Sequence, residues 1–378
     1  MSDIYSQSIE LHKKHQGKLE TCSKVPIGSR EDLSLAYSPG VAGVSRAIAE
    51  DKARSFELTF RGNAVAVVSD GSAILGLGNL GPEAALPVME GKAVLFKQFG
   101  GVDAFPICLA TQDTEEIIRT VKFLAPNFAG INLEDISAPR CFEIEERLKA
   151  ELDIPVMHDD QHGTATVVLA GLINALKLRG SDKETVRIVI NGAGAAGIAT
   201  AKLLLGYGFK EIILCDSKGI ICEGRDCLNP AKEELAKLTN LAKLNGDLGE
   251  AVKEADIFIG MSAPDVLKGE MVRSMAGKPV IFALANPVPE IMPEIAKEAG
   301  AFVVATGRSD YPNQVNNVLA FPGIFRGALD HHISKITPEM LVRAAEALAG
   351  AVAVPDVDHI LTDTLDRSVA AKVADAIR

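Results

Sequence analysis

The sequence predicts an α/β protein of two domains: an N-terminal α/β unit, a second unit on a doubly wound parallel sheet, and helices at the C-terminus. Three observations lead there. The chain has 378 residues, more than one ordinary hydrophobic core serves. Apolar residues make up 47% of it, yet aromatics only 5% and Trp is absent, so the core material is Ala, Val, Ile and Leu. That mix suits strands buried on both faces under Ala-rich helices. Finally, apolar runs of strand length alternate with stretches of helical period through most of the chain.

In chain order, residues 1–60 read as helix and loop, broken at Tyr37-Ser-Pro-Gly40. Ala64–Val68 is a continuous apolar run of strand type. Glu83–Phe99 has helical period, Phe105–Leu109 reads as a strand, and 113–124 as a helix capped by Thr111 or Asp113. Strand Ala129–Leu133, helix Ala138–Leu152 and strand Ile154–Met157 repeat the rhythm. The polar segment Arg179–Arg187 interrupts it and marks the change of domain. Beyond it strands are expected at Arg187–Asn191, Glu211–Asp216, Ile257–Gly260, Val280–Leu284 and Phe302–Ala305, then a helical tail from Thr337 with a break at Val354-Pro-Asp. No internal repeat or low-complexity stretch occurs.

Charge narrows the function classes. With 39 basic against 50 acidic residues the net is −11, and no basic stripe offers a nucleic-acid surface. An anionic substrate would need a local positive field, such as a bound metal. The six Cys are scattered without a CxxC pair, and most read as small buried hydrophobes rather than a disulfide framework. The N-terminus lacks a signal-type apolar stretch and no run is long enough to span a bilayer, so a cytoplasmic setting without membrane contact is expected.

Arg187-Ile-Val-Ile-Asn-Gly-Ala-Gly-Ala-Ala-Gly197 is an apolar strand running into G-x-G-x-x-G and an Ala-rich helix. Gly192 permits the tight turn, Gly194 lets the backbone approach a pyrophosphate, and Gly197 lets helix and strand pack closely. Ala193, Ala195 and Ala196 complete the loop, and the helix N-terminus faces the phosphate charge. Asp216 ends the next strand, 19 residues beyond Gly197, where an acceptor for ribose hydroxyls belongs. This is a Rossmann-type site. Asp216 favours NAD, because a carboxylate repels a 2′-phosphate; Ser217 and Lys218 soften that exclusion and keep NADP open.

A second constellation is acidic. Leu133-Glu-Asp135 closes one predicted strand and Met157-His-Asp-Asp-Gln-His162 the next. Side chains at the carboxyl ends of parallel strands face the ligand crevice. Converging acids need a cation, and oxygen ligands suit Mg²⁺ or Mn²⁺. The plainer reading is N-capping of the helix that follows. His158 and His162 lack a third soft ligand for zinc, so both read as supporting residues.

With these residues the chain resembles the malic enzymes in their compact microbial form, over nearly its whole length. The markers are Ala36-Tyr-Ser-Pro-Gly-Val41, Val68-Ser-Asp-Gly71 with Leu75-Gly-Leu-Gly-Asn-Leu-Gly81, Glu90-Gly-Lys92, Leu133-Glu-Asp-Ile136, His158-Asp-Asp-Gln-His-Gly-Thr164, Ala285-Asn-Pro287 and Asn316-Asn-Val-Leu-Ala-Phe-Pro-Gly323. The resemblance implies oxidative decarboxylation of malate to pyruvate. It makes Tyr37 the acid that protonates the enol of pyruvate and Lys92 the base for the malate hydroxyl. Glu134, Asp135 and Asp160 would hold the metal, with Asp159 tuning the lysine. Asn286 and Asn316 or Asn317 would meet substrate and the nicotinamide side. As a base Lys92 must be neutral, which a desolvated or cation-rich site permits.

One departure stands out. Larger malic enzymes carry an Arg in the Asp-Gly-x-x-Ile-Leu stretch that grips a substrate carboxylate; here Ala73 stands in its place, and another basic group, the metal and the asparagines, or a neighbouring subunit must compensate. The implied organisation is a malic-enzyme domain at 1–160, a dinucleotide-binding Rossmann domain at 161–335, and C-terminal helices at 336–378 packing back on the first. The small-molecule substrate is malate or pyruvate, and a homodimer is the expected assembly. Rival readings are a metal-free Rossmann hydroxy- or amino-acid dehydrogenase, a non-catalytic dinucleotide sensor, and a metal-dependent phosphate-processing enzyme.

Overall fold

The structure, a computed structural model, describes residues 3–74 and 77–378; Leu75 and Gly76 of the Leu75–Gly81 stretch lie outside the described residues. Two sheets form. The first is parallel, β1 (Ala64–Ser69), β2 (Asp103–Cys108), β3 (Gly130–Leu133) and β4 (Val156–His158), in the order β2-β1-β3-β4. β1 and β3 are wholly buried, as continuous apolar runs require. Strand β2 contains Pro106 and lies at the sheet edge, where a missing N–H costs no ladder bond. It begins two residues earlier than the apolar pattern suggests, because Asp103 pairs with Ala64 despite its charge.

The second sheet holds β5 (Arg187–Asn191), β6 (Glu211–Asp216), β7 (Gly219–Ile220), β8 (Ile257–Gly260), β9 (Val280–Ala283) and β10 (Val303–Thr306). Its order is β10-β9-β8-β5-β6-β7, parallel except for the short β7. The chain leaves β5 for β6 on one side and returns with β8 on the other. The carboxyl end of β5 is thus the switch point, where open α/β sheets bind ligands. Two-residue β7 escapes prediction because nothing so short carries a period.

The helix Asp159–Arg179 starts directly from β4 and runs between the two sheets, with most of its residues buried. Its low amphipathicity follows: a helix packed on all sides is apolar all round. The polar segment after it is the loop leading to β5. Helices Phe321–Asp330 and Ser368–Ala376 lie against the helix Pro82–Gly100 of the first sheet: Phe96 meets Phe321 and Phe325 edge-on, at 4.7 and 5.3 Å between ring centroids. Of the six cysteines only Cys141 and Cys215 are buried, while Cys22 and Cys227 are exposed, so the expectation that most sit in the core does not hold. No helix among the described residues is long and apolar enough to cross a membrane.

Candidate active site

The carboxyl ends of β3 and β4 and the helix Pro82–Gly100 converge on one buried cluster. Lys92, only 7% exposed, places Nζ 2.6 Å from Asp159 Oδ2 and 2.9 Å from Glu134 Oε1, and 4.4 Å above the Phe321 ring. Asn317 donates to the same Asp159 oxygen at 2.6 Å, and Asn132 donates to Glu134 Oε2 at 2.9 Å. Beyond Glu134 the backbone turns through a left-handed residue, Asp135, with φ +52°. This brings the Asp135 N–H onto Asp160 Oδ2 at 2.8 Å. One oxygen from each of Glu134, Asp135 and Asp160 then lies within 4.8 Å of the others. Three carboxylates at such spacing fit a hard cation.

The electrostatics bear on that fit. Burial lifts the Glu134 carboxyl to about 7 and, with Glu134 beside it, Asp159 to about 7; Asp160 is raised as well, in each case against the pull of Lys92. Lys92 moves oppositely. Burial lowers its pKa, but Asp159, Glu134 and Asp160 more than reverse this, so the acids hold it as the ammonium. The surroundings of Lys92 are anion-rich, not the cation-rich site that a neutral base would want.

Capping does not explain the acids. The N-cap of the long helix is His158, without a side-chain cap bond, while Asp159 and Asp160 are engaged as above. His158 is fully buried, and burial pushes it down to about 4; its ring stands against Gln161 and, at 3.4 Å, against Asp160. His162 pairs with Glu145 at 2.9 Å. Neither belongs to the three-carboxylate cluster.

At the end of β5, Gly192 has φ +121°, and a Cβ there would stand 2.3 Å from the Met261 carbonyl oxygen. A Cβ on Gly197 would stand 1.7 Å from the Gly192 carbonyl, so strand and helix touch there, whereas Gly194 faces open space. Ala195 and Ala196 open the helix Ala195–Tyr207. Asp216 ends β6, yet it is not a bare acid: Arg225 and Lys232 both reach Oδ2, at 2.6 and 2.7 Å, and the Lys218 N–H holds Oδ1. These bonds overcome the effect of burial and hold the carboxyl well below its usual range. Arg225 and Lys232 carry no sequence signal of this role, since they come from a loop and a short helix with no fixed spacing to Asp216.

Asn286 is exposed on the loop after β9. Of the two asparagines in question, Asn317 joins the lysine cluster, while Asn316 caps a short helix by accepting from Val318 N at 3.0 Å. Tyr37 is not brought to the cluster: its side chain is 68% exposed, at the end of helix Arg30–Ala36, and its backbone bonds to Leu33 and Val41 of its own arm. The loop lacking an arginine at Ala73 is braced by Arg140, whose Nη2 meets Asp70 at 2.9 Å and Ser72 at 3.0 Å.

Comparison with known proteins identifies the family. Residues 16–149 match the malic enzyme N-terminal domain and residues 161–377 the malic enzyme NAD-binding domain. The bifunctional malic/malolactic enzyme of Bacillus subtilis is 59% identical over 377 residues, covering 99% of this chain and 92% of that protein. The NAD-dependent malic enzyme of Geobacillus stearothermophilus is 57% identical over 363 residues, 96% of this chain and 76% of the relative. The crystal structure of the NAD-dependent malic enzyme from Thermotoga maritima superposes with a TM-score of 0.95 at 54% identity, covering 98% of both chains.

Proposed function

The chain belongs to the malic enzyme family, and from that premise we propose that it oxidises and decarboxylates malate to pyruvate and carbon dioxide on a nicotinamide dinucleotide. The observation that carries the reading is the buried contact of Lys92 with Asp159 and Glu134, beside a three-carboxylate cluster. Hydride leaves malate C2 for the nicotinamide while its hydroxyl proton goes to Lys92. Lys92 is first an ammonium, so it must hand a proton on, and Asp159 at 2.6 Å is the acceptor in reach outside the three-carboxylate cluster. A Mg²⁺ or Mn²⁺ ion held by Glu134, Asp135 and Asp160 would supply Lewis acidity at the C2 oxygen. Engaged by such an ion, Glu134 and Asp160 would raise Lys92 less than they do as free carboxylates, which would bring the neutral amine nearer. Asn317 and Asn286 orient substrate and nicotinamide. The C3–C4 bond of the oxidised acid then breaks to release carbon dioxide, its electron pair forming the enolate of pyruvate, and Tyr37 protonates the enol at C3.

Tyr37 implies an assembly. Among the described residues before Ser55 none is buried, and Ile4, Tyr5, Ile9, Val25, Ile27, Leu33 and Leu35 are each about half exposed or more. So apolar an arm suits a partner surface. The reading is a homodimer in which each arm carries Tyr37 to the other copy's lysine. A cytoplasmic setting goes with it.

For the dinucleotide the reading is NAD, with NADP admitted. Asp216 accepts the ribose hydroxyls, while Arg225 and Lys232 offset its charge toward a 2′-phosphate. The test is growth of reduced-nicotinamide absorbance with malate, divalent metal and each dinucleotide in turn. No growth with either one overturns the proposal, and turnover unaffected by a chelator would favour a metal-free hydroxy-acid dehydrogenase.

A further inference from the structure

Glu290 is a fully buried acid that the chemistry above does not use. It has no salt-bridge partner among the described residues. Its two oxygens instead accept from two backbone N–H groups: Oε1 from Ser262 at 2.9 Å, in the loop after β8, and Oε2 from Ala285 at 3.0 Å, in the loop after β9. Its own carbonyl accepts from Leu267 N at 3.0 Å, so the segment is tied back a third time. Burying a carboxylate without a cation is costly unless its lone pairs are met. Burial raises its pKa here, with those N–H groups pulling the other way.

The clasp touches the crevice at two points. Ser262 Oγ accepts from Asn191, the last residue of β5, at 2.7 Å, and the neighbouring Met261 carbonyl is the atom Gly192 hugs. On the other side, Ala285 precedes Asn286. The acid has room only because β8 ends in glycine: a Cβ on Gly260 would lie 2.3 Å from Glu290 Cδ. We propose that Glu290 is a positioning residue that sets the spacing between the β8 and β9 loops and thereby the grip of the crevice on the dinucleotide. The proposal rests on the reading that the crevice at Gly192 binds the dinucleotide.

Glu290→Gln keeps the volume but only one acceptor oxygen, turning an N–H donor toward a backbone N–H. The readouts are dinucleotide affinity by NADH fluorescence, the KM and kcat of malate oxidation, thermal melting, and oxaloacetate decarboxylation, which needs no hydride acceptor. The dinucleotide Kd and KM should rise roughly tenfold, the scale of one lost buried bond. Decarboxylation and kcat at saturating dinucleotide should stay within about threefold of wild type. Gly260→Ala, which displaces the carboxyl without altering it, should reproduce the split, and it carries the test if the glutamine variant folds poorly. Wild-type affinity in both variants overturns the proposal. So does a loss of affinity and decarboxylation in proportion, which would make Glu290 a general prop. A wild-type chain that decarboxylates oxaloacetate but binds neither dinucleotide overturns the underlying reading, and with it this one.

Discussion

An ammonium as deeply buried as that of Lys92 is tolerable only because Asp159 and Glu134 both meet it, so each member of the cluster depends on the others. Lys92→Ala should therefore lower malate oxidation by about 10²–10⁴, the usual worth of a positioned proton-transfer group, with dinucleotide affinity nearly intact. A variant within threefold of wild type in a malate-dependent assay would remove Lys92 from the mechanism. Asp216 poses a different question, because two cations share one of its oxygens. Asp216→Ala should weaken NAD and relatively favour NADP, since Arg225 and Lys232 are then free for a phosphate. An unchanged ratio of kcat/KM for the two cofactors would reduce Asp216 to a strand end. That Glu134, Asp135, Asp159 and Asp160 gather at one crevice was legible in the sequence, because strand ends point acids there; the choice of Glu134, Asp135 and Asp160 as a trio came from the family resemblance. Asn132, Phe321, Arg225 and Lys232 were not legible, because their contacts arise from packing between segments that no local pattern links.

The elements matter through how rigidly they hold those residues. The helix Asp159–Arg179 must start in register with β4, and Glu145 of the helix Arg140–Glu151 secures that start. It accepts from the His158 N–H at 2.9 Å and from Gln161 at 3.1 Å, and pairs with His162 at 2.9 Å and Lys149 at 2.7 Å. Burial alone would raise the Glu145 carboxyl, but His162 and Lys149 outweigh it and hold it well below the usual range. Glu145→Gln should cost roughly 1–3 kcal/mol, the penalty for leaving buried partners unmet. The sign follows from the depressed pKa: the stability is present above the ordinary glutamate value of about 4.3 and is lost as pH falls toward the folded one. The melting-temperature gap between wild type and variant should thus be wide near neutral pH and narrow in acid; a constant gap would deny the ionised carboxylate its role. The five longer strands of the second sheet were readable as apolar runs, but ends were set elsewhere. Asp113, not Thr111, caps its helix, accepting from Glu116 N at 2.9 Å, and two-residue β7 is held by pairing with β6 and by bonds from Arg225 and to Gly246.

At the scale of the whole molecule, the buried lysine–carboxylate cluster lies at the first sheet and the glycine-rich loop at the second, while the described residues of the N-terminal arm add nothing to either core of their own chain. The family resemblance assigns Tyr37 a role in the chemistry but no place in space, since a helix-and-loop arm has no period that says what it packs against. Its exposure at 68%, on an arm with no buried residue among those described, is what the proposed delivery to a second copy rests on. In a two-fold dimer such an exchange is reciprocal. Complementation tests it. Tyr37→Phe and Lys92→Ala chains, each inactive as a homodimer, are coexpressed with different tags, and the doubly tagged dimer is isolated. If the tyrosine acts across the interface, one site joins an intact Lys92 with an intact Tyr37 while the other carries both defects, so activity should return to about half that of wild type. If both residues act within one chain, every site in the mixed dimer keeps one defect and activity stays at the background of the parents. Removing residues 1–37 should meanwhile yield monomer by light scattering if the arm also holds the pair together. Persistence of the dimer would confine the arm to supplying the tyrosine.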